Sequence, residues 1–219
     1  MRIACDGLRE ESPIMSSSSI VVFDLGKVLV DFDYSIAARR IVPLCSSPCD
    51  PAKFFTQHAA LLESYELGNY TTQEFFNQIK AATGFSGKQE EFNAFFADIF
   101  TPIQPMIDLQ GELRKTRTAA YIFSNTNDLA VEHIRRRFPF FSDFDGYVLS
   151  YEHGAMKPSA RLYEIVERAS GRKGAELIYI DDRPENVEAG LARGWKGILH
   201  EAPETTRAAL QQLGVLSQA

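Results

Sequence analysis

Ile20-Val21-Val22-Phe23-Asp24-Leu25-Gly26-Lys27-Val28 is the stretch from which the fold follows. Its first four residues are apolar without alternation and rich in β-branched and aromatic side chains, the pattern of a parallel strand covered on both faces. An aspartate then stands at the carboxyl end of that strand, where open α/β sheets build their ligand crevices. Three further polar groups arrive in the same way. Ser124-Asn125 follows Ala120-Tyr121-Ile122-Phe123, Lys157-Pro158 follows a third candidate strand, and Asp181-Asp182 follows Leu177-Ile178-Tyr179-Ile180.

Outward from this stretch, strand-like runs lie near 20–24, 118–123, 146–150, 177–181 and 196–200. Helical patterns cover about 104–116, 127–137, 158–170, 184–193 and 203–213. Strands alternating with helices of this length imply right-handed βαβ units and a parallel sheet covered on both sides. Pro158 and Pro184 suit the first turn of a helix, and Gly194 suits a helix C-terminus.

The gap from 35 to 103 is different, with helical patterns and no convincing strand. Phe92, Phe95, Phe96, Ile99 and Phe100 mark one helical face, and Phe54, Phe55, Leu61 and Leu62 do so less strictly. This stripe reads as the core of a bundle rather than a ligand pocket. The simplest organisation is an α/β core made of 20–34 and 104–219, with a helical cap over 35–103 inserted after the first strand. Residues 1–19, ending in four serines, read as a flexible N-terminal extension, with Met1 and Met15 both open as the start. Lys27 to Asp33 reads as a short hairpin hinging the cap to the core. Asp31 and Asp33 fit catalytic acids and solvent-facing turn carboxylates about equally.

The 219 residues are 45% hydrophobic and 24% charged, as in an ordinary globular protein large enough to bury a core. A net charge of -6 argues against an electrostatic nucleic-acid binder or a membrane-surface protein. No apolar stretch reaches spanning length, and the first 19 residues lack the apolar core of a signal peptide. The cytoplasm is the expected location. Cys5, Cys45 and Cys49 cannot all pair within one chain, and no second Cys/His pair stands at ligand spacing. Free thiols of a reducing compartment are the better account. The oligomeric state is not legible.

The four strand-end groups together supply what metal-assisted phosphoryl transfer needs. A carboxylate can serve as nucleophile by forming an aspartyl-phosphate that water later cleaves. Two anions must then approach each other, and Mg²⁺, which prefers a few carboxylates with water and phosphate oxygens, suits the gap. Asp24 is the candidate nucleophile and metal ligand, with Asp182 and Asp181 completing the metal site. Lys157 would neutralise a phosphate oxygen or orient the nucleophile. Ser124 and the amide of Asn125 would bind the transferring group at a strand-to-helix turn. Singly, each residue is as well read as a cap or turn residue; the combination in this order is what carries the functional reading.

With these residues in place, the chain resembles the haloacid dehalogenase (HAD) superfamily with a helical cap inserted after the first strand. Asp24 matches the family's motif I nucleophile, Ser124 its motif II hydroxyl, Lys157 its motif III lysine and Asp181-Asp182 its motif IV acids, with Asn186 close behind. The similarity runs from about residue 20 to residue 200. The wording FDLGKVLVDFD, FSNTND, MKP and IDDRPEN is most similar to the branch that includes bacterial α-D-glucose-1-phosphate phosphatase. The resemblance implies a Rossmann-like three-layer fold with strand order 5-4-1-2-3. It also implies Mg²⁺-dependent phosphatase activity on a small phosphorylated metabolite, a sugar phosphate being one candidate, through an aspartyl-phosphate on Asp24.

One departure stands out. Most phosphatases of this superfamily carry a second aspartate two residues after the nucleophile as general acid and base, and here that position is Gly26. Its backbone carbonyl can still ligate the metal, as the resemblance implies, but protonation of the leaving oxygen loses its usual donor. Activity is therefore expected to fall steeply as leaving-group pKa rises. A metal-free 2-haloacid dehalogenase fits the missing aspartate but has no use for Asp181-Asp182. A catalytically silent phosphate-binding protein has only Gly26 in its favour. Substrate-selecting residues would come from the cap, where Tyr34, Arg39, Glu66 and Tyr70 are candidates and equally readable as bundle surface.

Overall fold

A computed structural model of the chain describes residues 19–217. The expected N-terminal extension lies, Ser19 excepted, outside the described residues, as do Met1, Met15 and Cys5. Among the described residues seven strands are formed: β1 (Ile20–Phe23), β2 (Val30–Phe32), β3 (Phe100–Pro102), β4 (Ala120–Ser124), β5 (Gly146–Leu149), β6 (Leu177–Asp181) and β7 (Lys196–Leu199). Five of them make one sheet in the order β5-β4-β1-β6-β7, parallel throughout. Counted among themselves these strands run 5-4-1-2-3, the expected order. The chain leaves β1 for β4 on one side and later returns to β6 on the other. The carboxyl end of β1 is thus a switch point, where neighbouring connections diverge and open a crevice.

Alternation of side chains along β1 explains why the sheet is covered twice. Val21 and Phe23 join Ile122, Ile178 and Ile180 in one cluster with Met106, Leu109, Leu113, Ile134 and Leu210. Ile20 and Val22 join Phe123 and Tyr179 in another with Leu162, Tyr163, Val166 and Trp195. The first cluster draws on helices Gln104–Lys115, Asp128–Arg137 and Pro203–Gln212, and the second on helix Ala160–Ser170. The result is a three-layer α/β sandwich.

Between β2 and β3 the chain forms helices Tyr34–Ile41, Ala59–Glu66, Thr72–Thr83 and Gln89–Ala97 with shorter turns. These share a cluster of their own, in which Phe54, Phe75, Phe92 and Phe96 are fully or almost fully buried. Tyr65 stacks on Phe75 with ring centroids 4.3 Å apart. The phenylalanine stripe is therefore packed inside the bundle, as its spacing suggests. Helix Thr72–Thr83 is bounded by a Thr71–Glu74 capping box and by Gly84 in the left-handed region.

Three local expectations need correction. A strand, β3, lies in the segment read as strand-free. Phe100 sits in it rather than on a helical face, because helix Gln89–Ala97 ends before it. The hinge is not a self-contained hairpin. After a tight turn in which the Val30 amide donates to the Leu25 carbonyl, β2 pairs antiparallel with the returning β3, matching Phe32 to Phe100. Pro158 does not open a helix: the Lys157–Pro158 peptide is cis and the helix begins at Ala160. Among the described residues no helix is long and apolar enough to cross a membrane.

Candidate active site

Asp24, Ser124, Lys157 and Asp182 meet in one cleft at the carboxyl ends of β1, β4 and β6, with Gly26 and Asn125 on its wall. Phe32, Tyr34 and Glu66 line the same cleft. Every residue singled out at a strand end is thus at or beside one site.

Lys157 organises the charges. Its ammonium lies 3.0 Å from Asp24 Oδ1 and 2.7 Å from Asp181 Oδ2, and donates to the Phe123 carbonyl at 2.9 Å. The lysine's backbone is held by Asn125, whose Oδ1 accepts from the Lys157 amide at 2.7 Å while Nδ2 donates to the Lys157 carbonyl at 3.1 Å. The Asn125 side chain therefore fixes the lysine loop, a role the sequence reading did not include.

Asp181 is fully buried and saturated. Oδ2 accepts from Lys157 and from the Tyr179 hydroxyl. Oδ1 accepts from the Arg183 amide at 2.9 Å and Asn186 Nδ2 at 3.0 Å. Burial opposes its ionisation, but Lys157 and these donors hold its carboxyl below the usual range. Asp24 stands differently. Burial lifts its carboxyl to about 7, against the pull of Lys157 and with a further push from Asp181. Its contacts with Lys157 and with the Leu25 amide at 2.6 Å both use Oδ1, so Oδ2 is the oxygen left for the cleft. Burial and then Asp181 also raise the carboxyl of Asp182. Three carboxylates thus gather around one buried ammonium, and the pocket is short of positive charge.

That shortage bears on a metal. Asp24, Asp181 and Asp182 bring carboxylate oxygens within 4.8 Å of one another, and a single buried lysine serves them. An all-oxygen donor set with surplus negative charge suits a hard divalent cation such as Mg²⁺. Asp24 and Asp182 have oxygens to offer it, whereas those of Asp181 are already engaged by protein donors.

The remaining candidates separate cleanly. Asp33 caps helix Tyr34–Ile41 through the Ser35 amide at 2.8 Å, and Asp31 pairs with Lys27. Both are exposed, so the turn-carboxylate alternative is the one the structure supports. Of the cap candidates, Tyr34 and Glu66 face the cleft, while Arg39 bonds Ser35 and Tyr70 packs against the cap cluster. Cys45 and Cys49 are free thiols.

Ser150, Tyr179 and Asp128 support the site and were not foreseen. Ser150 Oγ accepts from the Thr126 amide at 2.9 Å and donates to the Glu66 carbonyl at 2.6 Å, tying the loop after β4 to the cap. It follows β5, so the strand-end rule extended to that strand finds it. Asp128 accepts from the Tyr65 hydroxyl and from Thr72 Oγ1, the latter at 2.9 Å. Nothing in the local sequence marks these cap-to-core bonds.

Comparison with known proteins agrees with this geometry. A family model described as haloacid dehalogenase-like hydrolase matches residues 19–194. The chain is 25% identical over 183 residues to a D-ribitol-5-phosphate phosphatase of Bacteroides thetaiotaomicron, covering 80% of this chain and 88% of that one. It is 29% identical over 139 residues to a sesquiterpene phosphatase of Aspergillus oryzae, covering 62% and 70% respectively. Its fold matches the crystal structure of the magnesium complex of HAD family enzyme bt-2542 from Bacteroides thetaiotaomicron with a TM-score of 0.75 at 22% identity, covering 84% of this chain and 93% of that one.

Proposed function

The chain belongs to the haloacid dehalogenase-like hydrolase family, and from that premise we propose that it is a Mg²⁺-dependent phosphatase of a small phosphorylated metabolite, a sugar phosphate among the candidates. The observation that carries this reading is the division of labour among three acids and one lysine. Asp181 spends its oxygens fixing Lys157, Asp24 keeps one oxygen towards the cleft, and Asp182 stays open beside it. Relatives named as phosphatases support it. A cytoplasmic location goes with this reading.

In this account Asp24 Oδ2 attacks phosphorus and the bond to the leaving oxygen breaks. Lys157 holds Asp24 in its attacking position and offsets negative charge on the phosphoryl group. Ser124 Oγ and the Asn125 amide bind the phosphoryl oxygens ahead of helix Asp128–Arg137, where backbone N–H groups favour anions. Water then attacks phosphorus and the bond to Asp24 breaks. Mg²⁺, held by Asp24, Asp182 and the Gly26 carbonyl with Asp181 behind them, would neutralise charge shared by nucleophile and phosphate. A metal-free dehalogenase would gain nothing from Asp182 beside an anionic substrate.

Phosphate release from p-nitrophenyl phosphate and α-D-glucose 1-phosphate, with Mg²⁺ and with EDTA, tests the reading. Metal-dependent turnover on at least one is expected. EDTA-insensitive release of halide from a 2-haloacid, without phosphate release, would replace it.

A further inference from the structure

Two features of the cleft belong together. The first is at position 26. A Cβ placed on Gly26 would lie 2.8 Å from Phe32 Cε1. The Phe32 ring is held by Tyr34 and Phe100, with ring centroids at 5.5 and 6.2 Å, and by the Lys27 ammonium 4.7 Å above it. A side chain at 26 would therefore meet an aromatic ring that is itself packed between its neighbours. Position 26 itself supplies no acid.

The second feature is a carboxyl on the wall of the same cleft. Glu66 is the last residue of helix Ala59–Glu66 and faces the cleft with Asp24, Ser124 and Lys157. It also lines the adjoining apolar recess beside Leu25, Val30 and Phe100. Although it sits on the cap, it is anchored to the core. Its carbonyl accepts from Ser150 Oγ, its neighbour Tyr65 bonds Asp128, and two residues on, Gly68 abuts the Tyr151 carbonyl.

The Glu66 carboxyl has no hydrogen bond or ion pair with any described residue. The cations of the cleft are committed elsewhere: Lys157 to Asp24 and Asp181, Lys27 to Asp31 and Arg183 to Glu185. The ionisable groups facing Glu66 are Tyr34, Glu63 on its own helix and Asp24 across the cleft. Burial, then Glu63 and Asp24, push its carboxyl up to about 7. A carboxyl so placed keeps its proton where Asp31 and Asp33, exposed and shifted down by their hydrogen bonds, do not.

Building on the phosphatase reading above, we propose that Glu66 is the catalytic general acid and base of this enzyme, supplied by the cap in place of a side chain at position 26. As the bond between phosphorus and the leaving oxygen breaks, its electron pair takes the Glu66 proton and the alcohol departs neutral. The Glu66 carboxylate then accepts a proton from the water that attacks phosphorus. The electron pair of the broken bond returns to the Asp24 carboxylate, and inorganic phosphate leaves. Proton and electrons balance, and no further reactant is needed. This replaces the steep leaving-group dependence expected from Gly26 alone.

The test is kcat/KM across a series of aryl phosphates and one alkyl phosphate, for wild type, Glu66→Gln and Glu66→Asp in the presence of Mg²⁺. General acid catalysis contributes about 10²–10⁴-fold. The wild type is expected to depend weakly on leaving-group pKa. Glu66→Gln should lose about 100-fold or more on the alkyl phosphate but less than about 10-fold on p-nitrophenyl phosphate, whose leaving group needs no proton. Retained p-nitrophenyl phosphate turnover also shows that the variant folds. Glu66→Asp, which keeps a carboxyl, should recover part of the alkyl turnover. Equal losses on both substrates, or none, overturn the role of Glu66 while leaving the phosphatase reading intact. A wild type inert on every phosphate overturns both.

Discussion

Replacing Gly68 by alanine strains the junction between cap and core at its tightest point. Gly68 has φ of +74°, and an added Cβ would lie 2.1 Å from the Tyr151 carbonyl oxygen and 3.0 Å from its carbon. The left-handed backbone costs about 1 kcal/mol with a side chain present. The overlap involves backbone on both sides, so neither partner can rotate away. The two segments must part by roughly 1 Å or more to reach an ordinary contact. Overpacking of this kind costs about 1–3 kcal/mol, giving a total of roughly 2–4 kcal/mol if the junction stays closed. Against this stand the hydrogen bonds from Ser150 to Glu66, Tyr65 to Asp128 and Thr72 to Asp128, each contributing about 1 kcal/mol, more at the charged acceptor.

The two sides are comparable, so the strain is relieved by lifting the cap turn rather than by unfolding the sheet. Gly68→Ala is then expected to lower Tm by about 4–16 °C, at about 2–4 °C per kcal/mol for a chain of this size. It should lower kcat/KM on an alkyl phosphate by about 100-fold, the usual consequence of moving a reacting group by 1 Å. Calorimetry beside steady-state phosphate release measures both. Wild-type values of both Tm and kcat/KM would refute the reasoning, because the turn could not then be pressed against Tyr151 in the working enzyme.

Gly111 provides the opposite case: it lies inside helix Gln104–Lys115 with nothing within 4 Å of an added Cβ. Gly111→Ala should stabilise by about 0.5–1 kcal/mol, read as a raised urea midpoint with unchanged kinetics. Phe75→Ala empties a fully buried position stacked on Tyr65 and should cost about 3–5 kcal/mol. Hydrogen exchange should show the loss of protection chiefly in the cap helices. Asp24→Asn has a pH-dependent effect on stability in EDTA. The folded carboxyl titrates at about 7 and the unfolded one near 3.8, so between these values the folded state binds more protons and stability falls as pH rises. The penalty is complete above pH 7 and absent below 4. Urea melts should therefore find Asp24→Asn more stable than wild type at pH 8, by on the order of 4 kcal/mol at most, with the gain vanishing towards pH 4.

The sheet and the strand-end chemistry were legible because they are local in sequence. A buried parallel strand writes itself as an unbroken apolar run, and β1, β4 and β6 each end in the polar group that enters the cleft. The order of the strands came from family resemblance, since alternation of elements does not encode it. β3 was missed because three residues cannot show a period, and its partner β2 lies on the far side of the helical segment. The supporting network was illegible for a related reason. Tyr179 reaches Asp181 along one strand face, which alternation could have suggested. Asn125 on Lys157 and Ser150 on Glu66 depend on loops brought together only by the fold. Gly26 announced a missing acid, but neither the Phe32 ring against it nor the Glu66 carboxyl in the same cleft can be read from spacing.

The central claim is that Asp24 attacks phosphorus. Acid-quenched mass spectrometry of the enzyme during Mg²⁺-supported turnover of p-nitrophenyl phosphate tests it most directly. The account predicts a phosphoryl group on the peptide containing Asp24, formed as fast as the first nitrophenol is released and absent from Asp24→Asn. Turnover that persists in Asp24→Asn, or a phosphoryl group found on another residue, would contradict it.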